Sequence, residues 1–397
     1  MENKGGRTMA NKKEYRTTVY VGTVNKKAIR KNVRASSQRE LNEKIRKLKG
    51  QIDNGKDVYT RALFGVWADK WLNEVKVPSG ISNGTLTQYK SAIKHLNREF
   101  EFVELKDINL SDFNRFMIEL AKNNPNTNKP MSKKSLENIK KVARSIFKYA
   151  MSNNIAGVTD FFNSVTISKA APVSERRALT ETEQQWIIDT EHRAQLPAMI
   201  MMFSGLRRGE VIPLLWSDID LKKGIISVNK SVEFTTNKAN IKKGGKSSSA
   251  VRLVPIPKIL VDYLKHYKAN SKVLSQYVCL NVSGNIHTKS SWSKMWSSYL
   301  TDLNVKYGYD KEVISKHSPK YSTLPMRIEN ITPHYLRHTF ATMLYLENIN
   351  VVTAKQILGH ADISTTVNIY TDLEHFNKST LSDEYKERLQ NEYLITA

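Results

Sequence analysis

The run LPAMIMMFSGL at 196–206 is the longest apolar stretch in the chain, and Arg207 and Arg208 follow it at once. It is far shorter than the roughly 20 residues that a membrane span needs, so it is expected inside a folded core. A guanidinium at the end of such a helix is costly to bury unless it meets an anion or a carboxylate. Glu210 stands three residues after Arg207. The segment GLRRGE therefore demands a charge pair, a bound anion, or both.

The overall charge favours an anion of high charge density. The 397 residues hold 62 Lys and Arg against 38 Asp and Glu, a net charge of +24, spread along the whole length. A solvated basic surface and a polyanion partner both fit that excess. Nucleic acid is the preferred reading, ahead of an anionic membrane surface, because Lys and Arg contacts to phosphate dominate such binding. The length suits two or three domains with their own cores. Cys279 is the single cysteine, which leaves no disulfide framework and no cysteine zinc site and suits a reducing cytoplasm. The start MENKGGRTMANKKEY is polar and basic with no apolar segment behind it, so no secretory signal is expected. A soluble intracellular protein without membrane partners is the expectation.

Two linkers divide the chain. Residues 1–60 carry 16 Lys and Arg and 6 Asp and Glu. In YRTTVYVGTV, Tyr15, Thr17, Val19 and Val21 alternate with Arg16, Thr18 and Tyr20 as in a strand, and VNKKAI turns into a second one. Ser37 with Glu40 forms a capping-box pattern that opens a helix with Leu41, Ile45, Leu48 and Ile52 on one stripe. After DNGKD at 53–57 the patterns turn helical to about 165: Phe64, Trp67 and Trp71; Leu86, Tyr89, Ile93 and Leu96; Phe113, Met117 and Leu120; then Leu136, Ile139, Ala143, Ile146, Phe147 and Ala150. The last of these helices also carries Lys133, Lys134, Lys140, Lys141, Arg144 and Lys148, mostly off its apolar stripe. They form either a solvated face or a face laid along phosphates. Beyond SKAAPVSERRALT at 168–180, Thr180 and Glu183 cap a new helix, and the character becomes mixed. Helices reach about 213, GIISVNKSVEF and RLVPIP read as strands, and further helices fall at 257–270, at about 288–306 and from 333.

The segment ITPHYLRHTFATML puts His334 and His338 four apart with Arg337 between them, all toward one helical face. Two histidines at that spacing also hold zinc in metalloenzymes. That reading needs further ligands, and the guanidinium beside the pair is a poor neighbour for a dication. Thr332 suits the N-cap and Pro333 the first helical position, which leaves His334 and Arg337 in the turns where backbone N–H groups favour an anion. His338 is expected to be structural or supporting.

Arg207, Lys246, His334, Arg337, His360 and Tyr370 together resemble, in type, order and spacing, the active-site set of the tyrosine recombinases, or phage integrase family. GLRRGE is similar to the first arginine motif, Lys246 six residues before Arg252 to the β-hairpin lysine, HYLRH to the His-x-x-Arg box, LGH to the second histidine motif, and the Tyr370 segment to the nucleophile motif. The likeness runs over about 175–375. It implies a mainly α, multidomain chain with small β elements. Its parts would be a small N-terminal β-sheet-plus-helix domain for arm sites at 1–58, an α-helical core-binding domain at 59–168 and a mixed α/β catalytic domain at 169–397. The last two would close as a clamp on DNA, and a C-terminal tail would run from about 376. Among relatives the layout looks most like integrases of conjugative transposons and temperate phages.

The resemblance also implies roles. Tyr370 would attack the phosphorus, Arg207 and Arg337 would grip its oxygens, and His360 would add a hydrogen bond. Lys246 would protonate the leaving 5′-oxygen and His334 would assist Tyr370. Glu210 would orient Arg207, with His338 in support. No metal, nucleotide or other cofactor is required. Implied partners are double-stranded DNA at core and arm sites, three further copies in a tetramer joined by tail exchange, and an excisionase and host DNA-bending protein as accessories. Lys26, Lys27 and Arg30 join the basic residues of 133–148 as candidate DNA contacts. A bacterial, nucleoid-associated protein of the cytoplasm is expected. A type IB topoisomerase or a catalytically idle DNA-binding protein are the competing classes; the arm-like N-terminal segment argues against the first and the complete set of six against the second.

Overall fold

A computed structural model of the chain describes residues 15–24, 27–53, 63–155, 157–173, 177–244, 251–271, 273–317 and 323–375. The chain forms two compact units, Met1–Ser174 and Glu175–Ala397.

The first described elements of the first unit are an antiparallel pair, β1 (Tyr15–Val24) and β2 (Lys27–Ala35). Helix α1 (Gln38–Asp53) then covers Val19, Val33 and Ala35 with Leu41. The cap of α1 differs in detail from the expected box. Ser37 Oγ accepts from the Glu40 amide at 3.2 Å, but the Glu40 carboxylate reaches back to Ser36, accepting from its amide at 2.9 Å and its hydroxyl at 2.6 Å. Leu63 joins this small core, so the module packs onto the helices that follow. Those are α2 (Phe64–Lys70), continued by a π-helical turn at Trp71–Lys76, α3 (Asn83–Phe100), α4 (Leu110–Lys122) and α5 (Lys133–Ser152). Every apolar stripe read from the sequence of 64–150 has residues in one core, where Phe100, Phe113, Phe147 and Phe162 pack ring against ring. Ala171 is buried in the same core, and Pro172 accepts from the Lys133 amide at 3.0 Å.

The second unit is wound around a single helix. After α6 (Glu181–Asp189), with its Thr180–Glu183 capping box in place, comes α7 (Gln195–Ser204), every residue of which is buried. A helix apolar on all sides belongs at the centre of a core, and each fully buried Leu, Ile, Met or Phe contributes about 1.5–3 kcal/mol. The short α8 (Arg208–Val211) follows. Strands β3 (Ile219–Asp220), β4 (Ile225–Val228), β5 (Lys230–Thr235), β6 (Lys238–Lys243) and β7 (Arg252–Pro255) form a three-stranded sheet in the order β3-β4-β7 and a separate β5-β6 ribbon. Strand β6, KANIKK, alternates only weakly, with Ala239 and Ile241 set between polar residues, so little in its composition marked it. Helices α9 (Lys258–Asn270), α10 (Lys289–Gly308), α11 (Lys311–His317), α12 (Pro333–Leu346), α13 (Val351–Leu358) and α14 (Ser364–His375) follow among the described residues.

The polar stretch before α12 is tied down from two sides. Asn304, 1% exposed, accepts from the Arg327 amide at 2.8 Å and donates to the Pro325 carbonyl at 3.1 Å. Arg177 bridges Glu183 and Glu329 with a bond of 2.6 Å to the first and 2.5 Å to the second, and Tyr335 donates to Glu329 at 3.1 Å. Among the described residues no helix is long and apolar enough to cross a membrane. The C-terminal tail from 376 lies outside the described residues.

Helix α7 packs against α12, and the turn between α7 and α8 leaves no room for a side chain. Gly205 ends α7 at φ +63°, and a Cβ there would lie 2.4 Å from Phe340 Cδ1 and 3.1 Å from Leu358 Cδ2. Left-handed strain and overpacking both oppose any larger residue. Gly205→Ala is therefore expected to lower the stability of the second unit by about 3 kcal/mol, read as a fall in the midpoint of urea unfolding; a loss below about 0.5 kcal/mol would show that the turn is not constrained as described.

Candidate active site

Helix α13 is capped at its start by Asn350, whose side chain accepts from the Thr353 amide at 2.9 Å, and ends at Gly359 with φ +65°. A helix end leaves its last carbonyls without partners of its own. Here three successive ones each accept from a different arginine. Arg252 Nε donates to Ile357 O at 2.7 Å, Arg337 Nη2 to Leu358 O at 2.6 Å and Arg207 Nη2 to Gly359 O at 2.8 Å. Cations at a helix C-terminus also gain from its dipole. A Cβ on Gly359 would stand 3.0 Å from the Arg252 guanidinium carbon.

The three arginines arrive from separate elements. Arg207 is the N-cap of α8, where the Glu210 carboxylate accepts its amide at 2.8 Å and its Nη1 at 3.0 Å. Arg252 opens β7 and grips the same carboxylate through Nη1 at 3.1 Å and Nη2 at 3.0 Å. Arg337, 7% exposed in the second turn of α12, also donates Nη1 to Gly205 O at 2.5 Å. Burial alone would raise Glu210, but the bonds and charge of Arg252, with Arg207 behind them, outweigh it and hold the carboxyl below its usual range. Burial pushes the Arg337 guanidinium down to about 9, aided by the charge of Arg207 and opposed by Glu210; it stays cationic at neutral pH. Three guanidiniums around one carboxylate leave a local excess of positive charge, a setting suited to an anion with forked oxygens.

His360 follows Gly359 directly and is 9% exposed, with Nδ1 2.9 Å from Thr366 Oγ1. Burial, then the charges of Arg337, Arg207 and Arg252, hold its imidazole down to about 3, so it is neutral at physiological pH. Tyr370 lies on α14, one turn beyond Thr366. Its hydroxyl donates to Ile349 O at 3.1 Å, and its ring meets Tyr345 edge-on with centroids 5.0 Å apart. Burial and Tyr345 push its hydroxyl up to about 12. His334 is exposed in the first turn of α12, and His338 is half-buried with its carbonyl accepting from Thr342. Thr332 is the N-cap and Pro333 the first residue of α12, though the Thr332 side chain makes no cap bond. Lys246 lies outside the described residues, in the segment between β6 and β7.

The structure thus gathers Arg207, Glu210, Arg337 and His360 around one helix end, with Tyr370 on the next helix. Two residues beside them were not singled out from the sequence. Arg252 served there only to mark the lysine motif, and its signal is a cation between apolar residues at the start of a strand. Thr366, fully buried beneath His360, carries no signal of its own. Among the described residues no cluster of three His, Cys, Asp or Glu is placed to hold a metal ion.

The candidate DNA contacts fall into groups. Lys133, Lys134, Lys141 and Lys148 are exposed on α5. Lys140 instead donates to Val165 O at 2.9 Å, and Arg144 holds Asp160 at 2.8 Å, so both are used in folding their own unit. Lys27 and Arg30 sit on β2, paired with Val24 and Tyr20 of β1; Lys26 lies outside the described residues.

Comparison with known proteins agrees with this architecture. The tyrosine recombinase XerC-like protein of Caldanaerobacter subterraneus subsp. tengcongensis is 26% identical over 395 residues, covering 91% of this chain and 92% of its own. Tyrosine recombinase XerA of Thermococcus kodakarensis is 28% identical over 292 residues, 72% of this chain and 86% of its own. In fold, the chain is similar to a Tn1549 transposon integrase fragment in complex with a circular intermediate DNA, with a TM-score of 0.62 at 18% identity, over 81% of this chain and 100% of that one. A lambda integrase tetramer bound to a Holliday junction gives 0.51 at 18% identity, over 84% and 90%. The sequence pattern of the phage integrase family matches residues 171–376, just over half of the chain and the part that holds every arginine of the cradle. The chain belongs to the phage integrase family and is a tyrosine-type site-specific recombinase, an enzyme that cleaves and rejoins DNA strands.

Proposed function

We propose that the chain is the integrase of a mobile element, inserting and excising it by cutting and rejoining DNA through a 3′-phosphotyrosyl intermediate and a Holliday junction. The observation that carries the integrase reading is the basic β1-β2-α1 module ahead of the helical core. A second DNA-reading module is what a recombinase needs to engage arm sites as well as core sites. The likeness in fold to a transposon integrase and to lambda integrase supports this reading.

The chemistry follows from the cradle. Rejoining DNA without an energy source requires the bond energy to be kept in a covalent link. Tyr370 attacks the phosphorus, leaving a 3′-phosphotyrosine and a free 5′-hydroxyl. Charge then builds on the non-bridging oxygens, and Arg207 and Arg337, already oriented by the α13 carbonyls, take it up in forked hydrogen bonds. Neutral His360, its Nδ1 held against Thr366 Oγ1, turns Nε2–H to a phosphate oxygen as a donor. His334 assists the proton of Tyr370, and Lys246 supplies one to the leaving 5′-oxygen. The bond from Tyr370 to Ile349 must break before attack, which makes DNA binding the step that frees the nucleophile. The set carries its own positive charge and uses no metal or nucleotide. Four copies act on two DNA segments in the cytoplasm, joined through the tail, with His338 supporting α12. Lys133, Lys134, Lys141 and Lys148, together with the β2 cations, contact DNA phosphates, and an excisionase and a DNA-bending protein set the direction of the reaction.

Selection of bound duplexes from a random library should return two unrelated motifs for the full chain, one core and one arm; a single motif would favour a recombinase without arm sites. With a nicked duplex of the core motif, the wild type should accumulate a covalent protein–DNA adduct. In Tyr370→Phe that adduct should fall by more than about 10³-fold, and its persistence would remove Tyr370 from the role of nucleophile.

A further inference from the structure

Arg252 is the one arginine of the cradle that the proposed chemistry does not use. Its side chain is 6% exposed, more deeply buried than that of Arg207 at 38%. A buried guanidinium persists only where good geometry and partners compensate its lost hydration. Its recorded bonds all end on groups that orient other members of the site. Two go to Glu210, which holds the amide and Nη1 of Arg207. The third goes to Ile357 O, the carbonyl just before those that hold Arg337 and Arg207.

We propose that Arg252 is a positioning residue for strand cleavage, locking the Glu210 carboxylate and the last turn of α13 into the one arrangement that turns Arg207 and Arg337 toward the same phosphate. This rests on the reading that those two arginines hold the scissile phosphate. A carboxylate accepts at about four lone-pair positions; Arg252 fills two and Arg207 the other two. Without Arg252, Glu210 is half-satisfied in a buried place and draws Arg207 onto itself. The carbonyl of Ile357 loses its donor at the same time, so the turn that orients Arg337 loosens. A lysine keeps the charge but not the effect, because one tetrahedral ammonium cannot span both carboxylate oxygens and reach the carbonyl in plane. A strut between β7 and α13 with no part in catalysis would instead register in folding and DNA affinity, with no separate cost in the chemical step.

The test uses the full chain, with a nicked core-site duplex that the wild type converts to adduct. Single-turnover adduct formation is timed for wild type, Arg252→Lys, Glu210→Gln and the double variant, beside DNA affinity by gel shift and thermal melting. Arg252→Lys should form adduct about 100-fold more slowly while its DNA affinity stays within about twofold and its melting stays cooperative. The double variant should be about as slow as the slower single one, since both break one unit. Gly359→Ala, whose Cβ presses on the Arg252 guanidinium, should reproduce the defect from the opposite side. A rate within about threefold of wild type for Arg252→Lys, losses that multiply in the double variant, a loss confined to DNA affinity, or a variant that no longer melts cooperatively would each overturn the positioning role. Failure of the wild type to form any adduct would instead overturn the parent reading, and this proposal with it.

Discussion

Three hydrogen bonds at the end of α13 organise the arginine cradle of the second unit. A helix terminus inside a protein has unmet carbonyls and a negative dipole end, and both are satisfied here by cations drawn from α8, β7 and α12. The arrangement solves two problems together. The arginines gain partners that offset their burial without neutralising them, because a carbonyl carries no net charge. Only Glu210 subtracts from the total, and it is shared by two of the three. The remaining positive charge is held in fixed geometry, with Arg207 the most exposed of the three, an arrangement suited to stabilising charge on an anion. The glycines at 205 and 359 follow from the same constraint. Each ends a helix in the left-handed region at a place where a Cβ would collide with the packing or with Arg252.

Much of this was legible in the chain, and what was not has a consistent physical cause. Features settled within a few residues could be read: the apolar α7 as a core helix, the Arg207–Glu210 partnership three residues apart, the Thr180–Glu183 box, and Pro333 opening α12. The apolar stripes of α2 to α5 also predicted their shared core. Features set by distant pairings could not be read. Arg252 lies 42 positions from Glu210 and 105 from Ile357, so neither bond leaves a local signal. Lys140 and Arg144 looked like members of a basic face until Val165 and Asp160 turned out to be their partners. Strand β6 takes its place through pairing with β5, because the alternation of Ala239 and Ile241 is too weak and short to mark a strand by itself. Even local caps drifted by one residue, as at Ser36, or left their side chain unused, as at Thr332.

Tyr370, the proposed nucleophile, is held differently from the cradle. Arg207, Arg252, Arg337 and His360 are fixed by bonds to backbone carbonyls, to Glu210 and to Thr366, whereas Tyr370 is tethered by a bond to Ile349 and an edge contact with Tyr345. Burial, with Tyr345 beside it, holds its hydroxyl above the usual tyrosine range and keeps it protonated. His360 links the two regions, since its Nδ1 meets Thr366 on the same helix as Tyr370. A rigid anion site beside a releasable tyrosine suits an enzyme that must not cut DNA before its partners are in place.

The most direct measurement is a crystal structure of the chain on a core-site duplex with the scissile phosphate intact. The account predicts that the donors to Ile357, Leu358 and Gly359 keep their bonds while non-bridging oxygens of that phosphate sit within about 3 Å of Arg207 and Arg337. Arginines that leave the three carbonyls to reach DNA, or a phosphate seated elsewhere, would contradict it.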